Sequence, residues 1–113
     1  MELKLKIYVV NEQGEKFLGI GTVWLLQAIE AEGSIHQASA KLAISYTKAL
    51  RMLKSLETSL GRDVLIRRKG GDNRRGAVLT DFGKDVISRY DIFQKQVKNS
   101  AETAFKDFAD SLD

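Results

Sequence analysis

A group of polar and cationic residues near the middle of the chain has the types and the spacing to bind nucleic acid. Tyr46, Thr47, Lys48 and Arg51 fall in the first two turns of a predicted helix, and Lys54 follows one turn later. Arginine can pair with two acceptors of guanine, whereas tyrosine and threonine can contact a thymine methyl group. Because the major groove of DNA holds one α-helix, we predict base contacts for the first four residues and a phosphate contact for Lys54.

Polar residues on both sides of this group are suited to contact the DNA backbone. The preceding predicted helix begins at Ser34, where free N–H groups and the positive end of the helix dipole attract a phosphate. For His36, an exposed surface position without a ligand is an equally good interpretation. The complete set of predicted phosphate contacts is Ser34, His36, Gln37, Ser45, Lys54, Arg67, Lys69, Arg74 and Arg75.

Positive charge is concentrated in one segment of the sequence. Residues 45–76 contain nine lysine and arginine residues against three acidic ones, a net charge of +6. The rest of the chain contains nine against twelve, a net charge of −3, so the whole chain carries only +3. Such segregation favours a polyanionic partner over a role in solubility alone. Double-stranded DNA is the partner that we predict.

The composition argues against several other classes of protein. The 113 residues include no cysteine and one histidine, which excludes disulfides, cysteine-based zinc sites and multi-histidine metal sites. Asp81 and Asp85 have no metal-binding cluster nearby, and no serine has a base to activate it. We predict that the protein is not an enzyme and has no cofactor. No apolar run approaches the ~20 residues that span a bilayer, so we expect no membrane contact and a cytoplasmic location.

The N-terminal part of the chain is predicted to form a β-hairpin followed by a helix. Residues 3–10 alternate between apolar and polar side chains, and residues 11–14 favour a turn before the chain returns. A helix then begins near Thr22, which can cap it, and ends near Gly33. We place Trp24 in the core that this helix covers.

Two helices joined by a tight turn occupy the middle of the chain. Ser34 and Gln37 have the spacing of a capping box, and Ser45 can cap the next helix, which runs to about residue 59. The apolar face of that helix consists of Ala49, Leu53, Leu56 and Leu60. The polar and cationic residues are therefore expected on the opposite face.

A basic hairpin and a long helix complete the chain. Two short apolar runs, at residues 64–66 and 77–79, flank a glycine- and arginine-rich loop, and Thr80 can cap the last helix. Apolar residues recur along that helix every three or four positions, so we predict that it packs against the same helix of a second copy. The predicted dimer interface contains Val86, Tyr90, Phe93, Val97, Ala101, Phe105 and Phe108.

The pattern resembles the LysR-type helix-turn-helix proteins. The similarity rests on Gly33-Ser34, Ala38, Leu42, Ser45, Leu56-Glu57, Leu60-Gly61, Leu65, Arg67, Leu79-Thr80 and Gly83. It implies an α+β fold: a winged helix-turn-helix, here with an N-terminal β-hairpin and a long C-terminal dimerisation helix. We expect a single domain over residues 1–113, with the hairpin at 1–19, a three-helix core at 20–61, the wing at 62–80 and the dimerisation helix at 81–112.

The hairpin and the wing are more similar to the N-terminal DNA-binding domain of ModE, the molybdate-dependent regulators. This resemblance covers roughly residues 3–95 and includes Gly19-Ile20-Gly21, Ser45-Tyr46 and the segment 69–80. It implies a homodimeric, sequence-specific transcriptional regulator on a palindromic operator, with residues 45–59 in the major groove and the wing, 67–76, on the backbone or in the minor groove. Since 113 residues leave no room for the molybdate-binding C-terminal modules, we predict no oxyanion site and leave the effector open.

Two other functions stay open at the level of the sequence. An architectural DNA-binding protein of low specificity would carry the same basic segment, and a winged helix that docks onto acidic proteins would not bind DNA. The ratio of specific to non-specific DNA affinity distinguishes the first from a regulator. Absence of duplex binding at low salt would indicate the second.

Overall fold

The computed structural model describes residues 1–67 and 76–113, which form two β-hairpins and four helices. The elements are β1 (Tyr8–Val10), β2 (Lys16–Gly19), α1 (Ile20–Glu32), α2 (Ile35–Lys41), α3 (Tyr46–Leu60), β3 (Leu65–Arg67), β4 (Ala77–Leu79) and α4 (Asp81–Ser111). Strands β1 and β2 pair antiparallel, as do β3 and β4. The predicted α+β winged helix-turn-helix, with its N-terminal hairpin and long last helix, is confirmed.

The first hairpin is shorter than the alternating sequence predicts. β1 begins at Tyr8, although the alternation begins at residue 3. β2 offers only four residues for pairing before the chain enters α1 at Ile20, so the earlier residues have no partner strand. The predicted turn is confirmed, because Asn11 Oδ1 accepts hydrogen bonds from two backbone N–H groups of the turn and Gly14 has a φ of 81°.

Serine side chains cap the two helices of the helix-turn-helix, as predicted. Ser34 Oγ accepts a hydrogen bond from the N–H of Gln37, and Ser45 Oγ accepts one from the N–H of Lys48, each at 3.0 Å. These bonds satisfy N–H groups that have no partner within the helix. They fix the start of each helix at the surface where the chain turns.

Helix α1 begins at Ile20 with Gly19 at its cap position, three residues before the cap predicted at Thr22, so that prediction is wrong. Thr22 lies inside its first turn, and its Oγ1 accepts a hydrogen bond from the N–H of Gly19, which precedes the helix, at 3.4 Å. The predicted end is confirmed, since Gly33 adopts a φ of 78° and donates its N–H to the carbonyl oxygen of Ile29. A left-handed residue of this kind is most easily supplied by glycine.

The core lies between the first three helices, the strands of the wing and the first turns of α4. Its buried members are Leu25, Leu26, Ala28, Ile29, Ile35, Ala38, Ala49, Leu53, Leu56, Val64, Leu65, Ala77, Leu79 and Val86. The predicted apolar face of α3 is thereby confirmed, and Leu60 packs against its edge. Glu57 Oε2 accepts a hydrogen bond from the N–H of Val64 at 2.8 Å, which ties the end of α3 to the wing.

Trp24 lies on the surface, so its predicted place in the core is wrong. Its side chain is 54% exposed, whereas its neighbours Leu25 and Leu26 are fully buried. α1 carries apolar residues on nearly every side, and only one side can face the core. The periodicity of this helix therefore does not determine which large residue is left outside.

Thr80 joins the start of α4 to the wing. Its Oγ1 accepts a hydrogen bond from the N–H of Gly83 at 3.0 Å and donates one to the carbonyl oxygen of Asp63 at 2.8 Å. Its own N–H donates to the carbonyl oxygen of Val64 at 2.9 Å. The long helix is thus anchored at its first turn.

Replacing Thr80 with alanine is expected to lower the free energy of unfolding by about 1–2 kcal/mol, since both hydroxyl bonds are lost. Urea unfolding followed by circular dichroism measures the change. Thr103→Ala is the matched control, because its exposed hydroxyl bonds within its own helix, to the carbonyl oxygen of Asn99 one turn earlier. Equal stability of both variants would contradict the anchoring role of Thr80.

Helix α4 extends far beyond the core. Its 31 residues span about 46 Å at 1.5 Å per residue, and the longest dimension of the molecule is 67 Å against 28 and 23 Å for the others. Among the described residues, the buried members of this helix, Gly83, Val86 and Tyr90, all lie in its first three turns. The remainder projects away from the folded domain.

Two of the seven residues predicted for the dimer interface belong to the chain's own core, which corrects that prediction. Val86 and Tyr90 are buried, because the first turns of α4 pack on the domain itself. The Tyr90 hydroxyl donates a hydrogen bond to the carbonyl oxygen of Ile7 at 3.0 Å. Burial raises the pKa of the Tyr90 phenol, so it keeps the proton that it donates.

Candidate nucleic-acid interface

The outer face of α3 carries three of the predicted DNA contacts. Thr47, Arg51 and Lys54 follow one another at spacings of four and three residues, which places them on one side of the helix, and all three are exposed. Within residues 1–67 and 76–113, no ion pair involves Arg51 or Lys54. Their charges are therefore available to a polyanion.

Lys48 lies on a different side of α3. Together with Met52 and Ser55 it lines a surface groove of about 430 Å³, whose opposite wall includes Phe17 and Trp24. This position is on the flank of the helix, beside the face that carries Arg51. A base contact of Lys48 stays a prediction.

The beginnings of α2 and α3 lie side by side, and their aromatic residues meet. The rings of His36 and Tyr46 are stacked, with centroids 3.7 Å apart and planes only 2° from parallel. Both residues are exposed. The sequence gives no sign of this contact, because the rings are brought together by the turn between the helices and not by helical periodicity.

The remaining predicted contacts at these helix starts are exposed or partly exposed. Gln37 is exposed, and Ser34 and Ser45 use their oxygens as caps while their hydroxyl protons stay available to a phosphate. The predicted phosphate contacts of all three stay predictions.

The wing contributes one described cation to the interface. Arg67 is exposed at the end of β3, opposite Ala77 of β4. The predicted contacts Lys69, Arg74 and Arg75 lie outside the described residues, as do Gly70 and Gly71. Arg62, the first residue of the wing, places its guanidinium group 4.1 Å from the centre of the Phe82 ring.

The described part of the chain shows neither a metal site nor a membrane span. It contains no group of three or more histidine, aspartate or glutamate side chains that could hold a metal ion. Among the same residues, no helix combines the length and the apolar character needed to cross a membrane.

A family model described as a bacterial regulatory helix-turn-helix protein of the lysR family matches residues 23–84, which is more than half of the chain. The match begins within α1 and ends in the first turn of α4. It therefore covers the helix-turn-helix and the wing, and it leaves out the N-terminal hairpin and most of α4.

Curated relatives carry the name ModE. The transcriptional regulator ModE of Haemophilus influenzae is 29% identical over 89 residues, which are 79% of this chain and 35% of that protein. The DNA-binding transcriptional dual regulator ModE of Escherichia coli K12 is 33% identical over 84 residues, 74% of this chain and 31% of that protein. The molybdenum transport protein ModE of Azotobacter vinelandii is 33% identical over 66 residues, 58% of this chain and 24% of that protein. The chain thus spans between a quarter and about a third of these relatives.

Solved structures share the fold at low sequence identity. The CbnR DNA-binding domain, in its crystal structure with DNA, superposes with a TM-score of 0.59 at 21% identity, over 77% of this chain and 94% of that one. The BenM DNA-binding domain, in complex with the benA site 1 DNA, gives a TM-score of 0.57 at 20% identity, over 79% and 98%. Nearly the whole of each of these two domains therefore superposes on this chain.

Proposed function

The chain belongs to the lysR family of bacterial regulatory helix-turn-helix proteins, and from this premise we propose that it is a sequence-specific DNA-binding regulator of transcription that acts as a homodimer. The observation that carries the proposal is the outer face of α3. Thr47, Arg51 and Lys54 stand exposed on one side of a helix whose start is capped by Ser45. Such a helix can enter the major groove.

Each side chain of this face has a distinct proposed role. Arg51 reads a guanine through two hydrogen bonds, and Thr47 contacts a base edge or a thymine methyl group. Lys54, one turn further from the helix start, neutralises a phosphate. The starts of α2 and α3 and the wing add further phosphate contacts, which position the helix without selecting a sequence.

The proposed dimer uses the projecting part of α4. Phe93 and Phe108 are 43% and 55% exposed, and Val97, Ala101 and Phe105 continue the stripe between them. An apolar stripe on a helix that leaves its own core is covered most economically by a second copy. A groove of about 430 Å³ lies between α1 and α4 on the domain side of this stripe, and its lining is mixed, with Ile20 and Trp24 beside the polar Gln27 and Asp91.

Pairing of two copies would give a two-fold arrangement of recognition helices. Such dimers read two half-sites about one helical turn apart, ~34 Å, on a palindromic sequence. Selection of bound duplexes from a random DNA pool tests this directly, since the proposal expects an inverted repeat. The selected site should bind more than ~10³-fold more tightly than unrelated DNA at the same salt concentration. A ratio of these two affinities near one would instead favour an architectural DNA-binding protein, an alternative that is supported by the basic segment alone.

Arg51→Ala is expected to weaken binding to the selected site by about tenfold or more and to relax the preference at one base pair of each half-site. Lys54→Ala should weaken binding to all sequences alike and reduce the salt dependence of the dimer by about two counterions, one from each copy. Gel-shift titrations at several salt concentrations measure both effects. Arg89→Ala is the control, because Arg89 lies on α4 and pairs with Asp85. Unchanged affinity for both α3 variants would refute the proposed face.

A further inference from the structure

The stacked rings of His36 and Tyr46 join the two helices of the helix-turn-helix at their starts. His36 is the second residue of α2, and Tyr46 is the first residue of α3. A centroid distance of 3.7 Å with planes 2° from parallel means that the two ring faces cover each other. Tyr46 nevertheless keeps 36% of its surface exposed, so part of the residue is accessible to a ligand.

The backbone beneath both rings is held by hydrogen bonds. The helix on each side begins with a serine cap, at Ser34 and at Ser45. In the turn between them, Ala43 adopts a left-handed φ of 56°, and the N–H of Ile44 donates to the carbonyl oxygen of Ser39 at 3.0 Å. The stack therefore connects two fixed points and not two mobile loops.

An exposed aromatic side chain at the first position of a recognition helix can otherwise adopt several rotamers. Ordering such a side chain when it binds reduces affinity. A neighbouring ring that already holds it in one orientation removes this penalty, and stacked aromatic pairs contribute beyond their buried area. Tyr46 is thus prearranged to present its accessible part to the DNA.

We infer that His36 is a positioning residue for Tyr46, and that the two rings act as one unit that selects a thymine through its methyl group. The inference rests on the proposed function, and it replaces the separate phosphate contact predicted for His36. The imidazole acts through its ring face, because that face is what contacts the tyrosine. Its role would therefore be fulfilled by another flat ring but not by a cation without a ring.

The stack can be tested in the free protein, independently of DNA. The chain contains one histidine, so the imidazole C–H signals in a proton NMR spectrum have a single origin. In the wild-type protein these signals should be displaced by the ring current of Tyr46, and Tyr46→Leu should return them to the position of an unstacked histidine. Signals that do not move in Tyr46→Leu would overturn the stack, whatever the protein does with DNA.

The role on DNA is tested with two replacements of His36 that separate ring from charge. Affinities are measured for the selected site and for variants of it, changed at one base pair at a time. His36→Phe keeps a flat ring and should bind within about twofold of the wild type, with the same sequence preference. His36→Lys replaces the ring with a cation and should lower the affinity about two- to tenfold, and only where the thymine is present, so that the preference at that base pair disappears.

The opposite result would assign His36 to a phosphate. In that case His36→Lys would bind as well as the wild type, and His36→Phe would lose affinity for every sequence, with a weaker salt dependence. Equal behaviour of the two variants would also overturn the inference. If the wild-type protein showed no sequence preference at all, the proposed function would fail, and the NMR measurement would still decide whether the stack exists.

Discussion

Replacing Val97 with aspartate is expected to convert the protein into a monomer and to lower its affinity for a site with two half-sites by about 10²–10⁴-fold. Val97 lies at the middle of the exposed stripe of α4, between Phe93 and Phe108. A carboxylate there would lose its water in the proposed interface without gaining a partner. The second half-site would then no longer be bound at the high effective concentration that a linked copy provides.

Sedimentation and gel-shift titrations measure the two consequences separately. Gln96→Asp is the matched control, because it adds the same charge one residue away, at an exposed position off the stripe. It should remain a dimer with unchanged affinity. Binding to an isolated half-site should be the same for Val97→Asp and the wild type, since α3 is not altered. A wild-type protein that sediments as a monomer at micromolar concentration would refute the proposed dimer.

The parts of the fold that depend on local chemistry could be predicted from the sequence. Ser34, Ser45 and Thr80 cap the helices that they were predicted to cap, because a cap needs only a short side chain and the N–H group three residues later. The buried face of α3 could also be predicted from the sequence, since its apolar residues occur on one side only. Both features are contained within a few turns of chain.

The errors concern residues whose environment is set by distant parts of the chain. Trp24 belongs to a helix with several apolar sides, and the packing of α2, α3 and the wing determines which side is buried. Val86 and Tyr90 continue the same periodic stripe as Phe93, so the sequence does not show where the chain's own core ends and the projecting part begins. The boundary follows from the contact of α4 with α1 and with the segment before β1, where Tyr90 bonds to Ile7.

The candidate site shows the same division. The exposed face with Thr47, Arg51 and Lys54 follows from helical spacing, and the sequence predicts it. The contact of His36 with Tyr46 depends on the left-handed conformation of Ala43, which lets the chain turn back between the helices. Alanine rarely adopts this conformation, so the residue type gave no indication of the turn geometry or of the rings that it brings together.

Gly83→Ala is expected to lower the free energy of unfolding by about 2–3 kcal/mol, the upper part of the range for overpacking a buried site. Gly83 is buried in the first turn of α4, directly against the backbone of Val64. An added methyl group would lie 3.1 Å from the carbonyl carbon of Val64 and closer still to its oxygen. That oxygen accepts the N–H of Thr80, so it cannot move away without breaking the bond that anchors the helix.

Gly21→Ala separates this steric effect from the general preference of helices for alanine. Gly21 also lies in the first turn of a helix, α1, but an added methyl group there would meet no atom within 4 Å. Alanine at position 21 should therefore raise the free energy of unfolding by about 0.5–1 kcal/mol, because it lowers the entropy of the unfolded chain. If urea unfolding shows that Gly83→Ala lowers the free energy of unfolding and Gly21→Ala raises it, the requirement for glycine lies at the contact between α4 and the wing. If Gly83→Ala were as stable as the wild type, α4 could not lie against Val64 in the manner described, and the direction in which the helix projects toward a second copy would have to change with it.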